Sequence, residues 1–137
     1  MRMGKEDSSP TDAPSAHAVL SIAHSRITMQ PETARMVAAN EMKKGDVLGA
    51  ARFAGVQAAK DAASYLPLLD PELVGRTSVS FDVGEDVISI TARVESATRI
   101  GANLYALSAA TVAALTIYDM CKSADRTMQI GPVALAE

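Results

Sequence analysis

The stretch TSVSFDVGEDVISITARV, residues 77–94, decides the fold. Apolar and polar residues alternate on both sides of Gly84-Glu85-Asp86, the period-two pattern of half-buried strands joined by a short glycine-containing turn. A β-hairpin over 77–83 and 87–94 is the expectation. Downstream, Gly101 opens a long apolar run to about Ala124, a helix, and Met128–Ala136 follows as a short apolar segment. Its Gly131-Pro132 suits an edge strand, because proline cannot donate to a central ladder. Upstream, His17 to Met29 alternates through Leu20, Ile22, Ile27 and Met29 and reads as a strand. Pro31 and Glu32 suit a helix start over 31–39, and Asp46 is placed to cap a second helix over 47–63. Residues 65–76, with Pro67 and Pro71, are a loop, and one of this length in a compact domain is more often functional than idle. The order strand, helices, strand, strand, helix, strand is the split βαβ arrangement: α+β, an antiparallel sheet with helices on one face.

Composition bounds what such a domain can be. The chain has 137 residues, enough for one core, and residues 1–16 are polar and aperiodic, a tail before a single domain over 17–137. Hydrophobic residues make up 48% but aromatic residues only 4%, with no Trp, so elements must approach closely instead of packing large rings. The helix over 47–63 fits that need with Gly49, Ala50, Ala51, Ala54, Gly55, Ala58, Ala59, Ala62 and Ala63, a face suited to another subunit. The net charge of −3 argues against nucleic acid as a partner. No uninterrupted apolar run is read as a membrane span, and a cytoplasmic protein without a membrane partner is expected. The one cysteine, Cys121, rules out an internal disulfide framework and a cysteine-built metal cage. It follows Met120 on the apolar helix and reads as a buried, inert thiol. His17 and His24 are seven apart, hence on opposite faces of one strand, so no metal site is expected from them. Neither phosphate-loop pattern is present.

Chemistry concentrates in LTIYDMCK, residues 115–122. Asp119 and Lys122, three apart, share a helix face at the end of an otherwise apolar run. Such a pair is either a solvated edge or the polar element of a cleft. Lys43-Lys44, taken alone, is a solvated loop corner.

Several stretches together resemble the cyclic pyranopterin monophosphate synthases of molybdenum-cofactor biosynthesis. They are Lys43-Lys44-Gly45-Asp46-Val47-Leu48, Ala51-Arg52 with Ala54-Gly55 and Ala58-Ala59-Lys60, Leu66-Pro67-Leu68 with Pro71, and Ala106-Leu107. The run Val112-Ala113-Ala114-Leu115-Thr116-Ile117-Tyr118-Asp119-Met120-Cys121-Lys122 and Ile130-Gly131-Pro132-Val133 complete the match. The resemblance implies a ferredoxin-like subunit, dimers assembled into a homohexamer, and active sites at the dimer interface. It implies a lyase or cyclase that rearranges a cyclic guanosine triphosphate derivative to a pyranopterin with a cyclic phosphate, releasing pyrophosphate, with no cofactor. Lys44, Asp119 and Lys122 correspond to the catalytic lysine, aspartate and lysine, and Arg52 and Lys60 to basic positions for substrate. An amine whose pKa falls toward neutrality can act as acid or base, a carboxylate one turn away can orient it, and gathered cations can hold phosphate.

The chain departs from that pattern around the substrate. Leu69-Asp70-Pro71 stands where the family has Cys-His-Pro. Gly101-Ala102-Asn103-Leu104-Tyr105-Ala106-Leu107 stands where it has two glutamates, at the positions of Asn103 and Tyr105. The N-terminal basic positions, near Pro14 to Leu20, and the glycine- and lysine-rich tail are absent. Asp70 presents an anion where a triphosphate is expected, at a cost of roughly 4 kcal/mol for unit charges about 4 Å apart at intermediate dielectric. Asp70, Asn103 and Tyr105, the last as an apolar wall, are therefore the altered substrate contacts. They suit a divergent paralogue acting on a related or different phosphorylated purine- or pterin-like compound. The alternative is a non-catalytic binding or assembly subunit that keeps the fold.

Overall fold

The computed structural model describes residues 19–136, and the expectations for the tail and for His17 lie outside them. Strand β1 (Val19–Thr28) leads into helix α1 (Pro31–Ala38), then α2 (Val47–Asp61) with a 3-10 turn (Ala62–Ser64) at its end. The hairpin follows as β2 (Thr77–Val83) and β3 (Val87–Ser96), then α3 (Arg99–Cys121), β4 (Gln129–Ile130) and β5 (Ala134–Leu135). The sheet order is β2-β3-β1-β4, with β5 also on β1, and every pairing is antiparallel. This is the expected split βαβ, ferredoxin-like α+β sandwich.

Register explains the core. Ala23 faces Ala92 and Ile27 faces Ile88 across β1 and β3, while Val79 faces Ala92 across β2 and β3. These residues share one side of the sheet, and all are fully buried under α2 and α3. His24, Arg26, Arg93 and Asp82 fall on the other side and are exposed. The His24 ring nitrogen Nδ1 sits 3.2 Å from the Thr91 hydroxyl, as a strand histidine at a polar surface.

Small residues do what the aromatic-poor composition demands, but within the subunit. Ala51, Gly55, Ala58 and Ala59 of α2 are buried against α3 and β2. A Cβ on Gly55 would lie 3.0 Å from the Ala109 carbonyl and 3.1 Å from Val79 Cγ2. The small residues thus let α2 lie close to the sheet and to a second helix, and the outward face of α2 carries Phe53, 72% exposed. Ser25 on β1 continues the close packing, its hydroxyl donating to the buried Ala110 carbonyl at 2.9 Å.

One expectation holds in detail and two change. Asp46 caps α2 as anticipated, accepting from the Gly49 N–H at 3.0 Å. The segment 128–136 is two short strands rather than one, split at Gly131-Pro132, where Gly131 takes φ +127 and its N–H donates to Arg26. Helix α3 has the length expected, 23 residues, but over an 18-residue window it is apolar enough to pass for a membrane span, which the reading of apolar runs did not register. By length and composition it could cross a membrane, yet half of that window is buried under the sheet, which makes it the core helix of this fold.

Candidate active site

Lys44 stands on the turn between α1 and α2. The Gly45 N–H closes that turn on the Met42 carbonyl at 3.1 Å, and Gly45 takes φ +116, open to glycine at little cost. Lys44 is thereby held outward, exposed. Asp119 and Lys122 end α3, where Lys122 Nζ donates to Asp119 Oδ1 at 2.8 Å. The lysine also meets the negative end of a long helix. The hydrogen bond from Lys122, then its charge, and more weakly the charge of Lys44, hold the Asp119 carboxyl below the usual carboxylate range. The same hydrogen bond and charge raise the Lys122 amine above the ordinary lysine value. Lys44, Asp119 and Lys122 are therefore within one electrostatic neighbourhood. Lys122 is a firmly protonated cation here, suited to hold anionic oxygen or to give up a proton late, and is not the neutral base that a lowered pKa would supply.

The altered positions lie at the other end of α3. Asn103 Oδ1 accepts from the Ser21 hydroxyl of β1. The two line a recess of about 340 Å³ with Leu20, Ile22, Arg99 and Leu135. Tyr105, two positions on, turns inward and is 1% exposed. Burial, then the charge of Glu72, raise its phenol above the ordinary range, against a smaller opposing effect of the Glu72 backbone. The expected apolar wall is thus a core side chain beside Glu72. Asp70 lies exposed on the loop.

Arg52 and Lys60 stand on the outward side of α2. Arg52 Nε donates to the Val79 carbonyl at 3.2 Å and its guanidinium lies 5.4 Å from the centre of the Phe81 ring, so it braces α2 on β2. Lys60 is exposed in the last turn. Sequence reasoning passed over Ser21, Arg99, Glu72 and Asp125, each a single residue in an unremarkable pattern. Cys121 is buried, and burial followed by the charge of Asp125 pushes its thiol up to about 11, an inert group as expected.

With this geometry in view, likeness to known proteins is specific. A family model described as the MoaC family matches residues 13–137. The chain belongs to the MoaC family. The cyclic pyranopterin monophosphate synthase of Roseiflexus sp. (strain RS-1) is 46% identical over 116 residues, covering 83% of this chain and 73% of that protein. The synthase of the same name from Chloroflexus aurantiacus is 42% identical over 116 residues, covering 83% and 71%. A molybdenum cofactor biosynthesis bifunctional protein of Chlorobaculum tepidum is 43% identical over 113 residues, or 82% of this MoaC-family chain and 36% of that protein.

Proposed function

We propose that this chain is an enzyme of molybdenum cofactor biosynthesis, a lyase that converts a cyclic guanosine triphosphate derivative to cyclic pyranopterin monophosphate and releases pyrophosphate. The observation that carries the reading is the Asp119–Lys122 pair at 2.8 Å with the charge of Lys44 acting on it, in a chain so similar to synthases. Lys122 holds phosphate oxygen or donates a proton to a leaving group, Asp119 orients it, and Lys44 supplies the second amine. Asn103, Arg99 and Ser21 offer neutral and cationic contacts to the far end of the substrate, and Arg52, Lys60 and Asp70 stand nearer its rim. A scaffold has no need to keep two amines and an acid in one neighbourhood, which speaks against a non-catalytic role. Growth of a strain lacking its own synthase, restored by this chain and not by its Lys44→Ala form, is the expected result. Equal growth with both, or with neither, would contradict the reading.

The proposal includes assembly. Asn103 and Asp119 are sixteen residues apart on one straight helix, about 24 Å. One chain presents them as separate half-sites, so a substrate that meets both is held between two copies. Exposed Ile100 and Leu115 on α3, with Phe53 on α2, give apolar surface for that contact. A homohexamer built from dimers is expected, read by light scattering as a mass six times the 14.3 kDa of the chain. A monomer at micromolar concentration contradicts the shared site. The lone buried thiol suits a reducing cytoplasm.

A further inference from the structure

The edge of β1 that faces β4 and β5 is filled except at one residue. The Arg26 carbonyl accepts from the Gly131 N–H at 2.9 Å and the Ile22 carbonyl from the Ala136 N–H at 2.8 Å. Thr28 pairs with Gln129 and His24 with Ala134. Even-numbered residues of β1 therefore turn their backbone toward this edge, and Leu20 is the next of them. The opposite strand agrees. Leu20 stands across from Glu95 of β3, whose N–H donates to the Arg76 carbonyl at 2.9 Å and whose carbonyl accepts from the Gly75 N–H at 2.7 Å. With the Glu95 backbone engaged on its far side, the two residues are a non-hydrogen-bonded pair, and the Leu20 N–H and C=O point away from β3. Among the described residues no strand lies against them.

The recess of about 340 Å³ opens at this point. Leu20, Ile22 and Leu135 give it apolar walls, and Arg99 and Asn103 form its polar side from α3. The Asn103 amide is oriented: its Oδ1 accepts from the Ser21 hydroxyl, which leaves Nδ2 as the free donor. No carboxylate lines the recess among the described residues. A ligand there meets a backbone donor and acceptor side by side, with two further donors from Asn103 and Arg99. A bare anion would face the Leu20 carbonyl, and an ammonium would face Arg99 with no carboxylate to receive it. A cis-amide satisfies every group. Its N–H donates to the Leu20 carbonyl, and the two lone pairs of its oxygen accept from the Leu20 N–H and from Asn103 or Arg99. Such an edge is the lactam of a flat nitrogen heterocycle, whose faces suit the apolar walls. One open backbone couple is too short for an added peptide strand, which needs several residues in register.

We propose that this recess binds the lactam edge of a nitrogen heterocycle on the free backbone of Leu20, with Asn103 and Arg99 completing the hydrogen bonds to the lactam oxygen. The inference deepens the synthase reading, in which this is the far end of the substrate, and rests on it only for which lactam is the natural one.

The test is a ligand-observed NMR titration of the full chain with inosine, a lactam that carries no phosphate. The competitors are 1-methylinosine, which lacks the lactam N–H, and adenosine, which lacks the lactam. Inosine is expected to bind at least about tenfold tighter than either, because a site built to hydrogen-bond a group rejects the analogue without it. Leu20→Pro removes the outward N–H and leaves the ladder to β3 intact, a change that an edge position tolerates. It should weaken inosine by about tenfold, the worth of one hydrogen bond, whereas Leu20→Ala keeps the backbone and should cost about threefold at most. If Leu20→Pro does not fold, Asn103→Ala takes its place, with inosine weakened and the rejection of 1-methylinosine kept. Equal binding of inosine and 1-methylinosine overturns the proposal. So does no binding of inosine up to its solubility, or a folded Leu20→Pro that binds inosine as the natural chain does. Neither turnover nor phosphate enters the titration, so its failure leaves the synthase reading standing, and absent turnover leaves the lactam site standing.

Discussion

Lys44→Ala is expected to lower kcat/KM by roughly 10²–10⁴, the range typical of a lost acid–base or charge-stabilising group, while leaving the unfolding midpoint nearly unchanged. Lys44 is exposed on a turn whose geometry depends on Gly45 and the Met42 carbonyl, so little stability rests on its side chain. Lys122→Ala should cost a comparable factor, and Lys122→Arg should recover little, because a planar guanidinium does not replace a compact ammonium at a single oxygen. The pH dependence follows from the directions of the shifts. Asp119 is held below the ordinary carboxylate value, so its interaction is present above that value and is lost as pH falls through the lowered one. Lys122 is raised, so its interaction is present below the ordinary lysine value and is lost only above it. The pair therefore stays ionised throughout the neutral range. A pH–rate curve that bends near neutrality for this pair, and flattens in Asp119→Asn, would contradict these roles.

Asp125→Ala is expected to give the largest loss of stability, roughly 3 kcal/mol or more. The carboxylate is 3% exposed and ties the chain after α3 to the start of α1. It accepts from the Gln30 N–H at 2.9 Å, the Thr33 hydroxyl at 2.7 Å, the Thr127 N–H at 2.8 Å and the Thr127 hydroxyl at 2.7 Å. Alanine leaves all four donors without that acceptor. Burial alone would raise this carboxyl, but the hydrogen bonds led by the Thr127 hydroxyl overcome it and bring it to about 2. A depressed folded value stabilises above the unfolded one, near 3.9, and the benefit fades as pH falls toward 2. The linkage is worth on the order of 2 kcal/mol at neutral pH. Denaturant titration should show a lower midpoint for Asp125→Ala with an unchanged slope, and a smaller difference between the two proteins at pH 3 than at pH 7. A pH-independent difference would mean that packing, not the ionised carboxylate, carries the effect.

The fold was legible because its signals are periodic. Alternation around Gly84-Glu85-Asp86 forecast the hairpin, and Asp46 forecast a cap that the Gly49 N–H fulfils. The small residues of α2 were visible but not their partner, since Gly55 looks the same beside α3 as beside another subunit. Lys44, Asp119 and Lys122 were found through resemblance, and helix spacing alone justified only the second and third. Glu72 was invisible for a physical reason. Its role in joining the loop 65–76 to the start of α3 comes from three contacts with residues 24 to 26 positions away, which no local pattern encodes. Tyr105 read as a wall because aromatic area suggests contact, whereas its neighbours turn it into the core.

The most direct test of the central claim is turnover. Purified protein should be incubated with the cyclic guanosine triphosphate derivative while pyrophosphate and the pterin product are followed together. The account predicts pyrophosphate and cyclic pyranopterin monophosphate in equal amounts, with both lost in Lys44→Ala and in Lys122→Ala. No release of pyrophosphate by the correctly assembled protein, or release that survives both lysine substitutions, would contradict it.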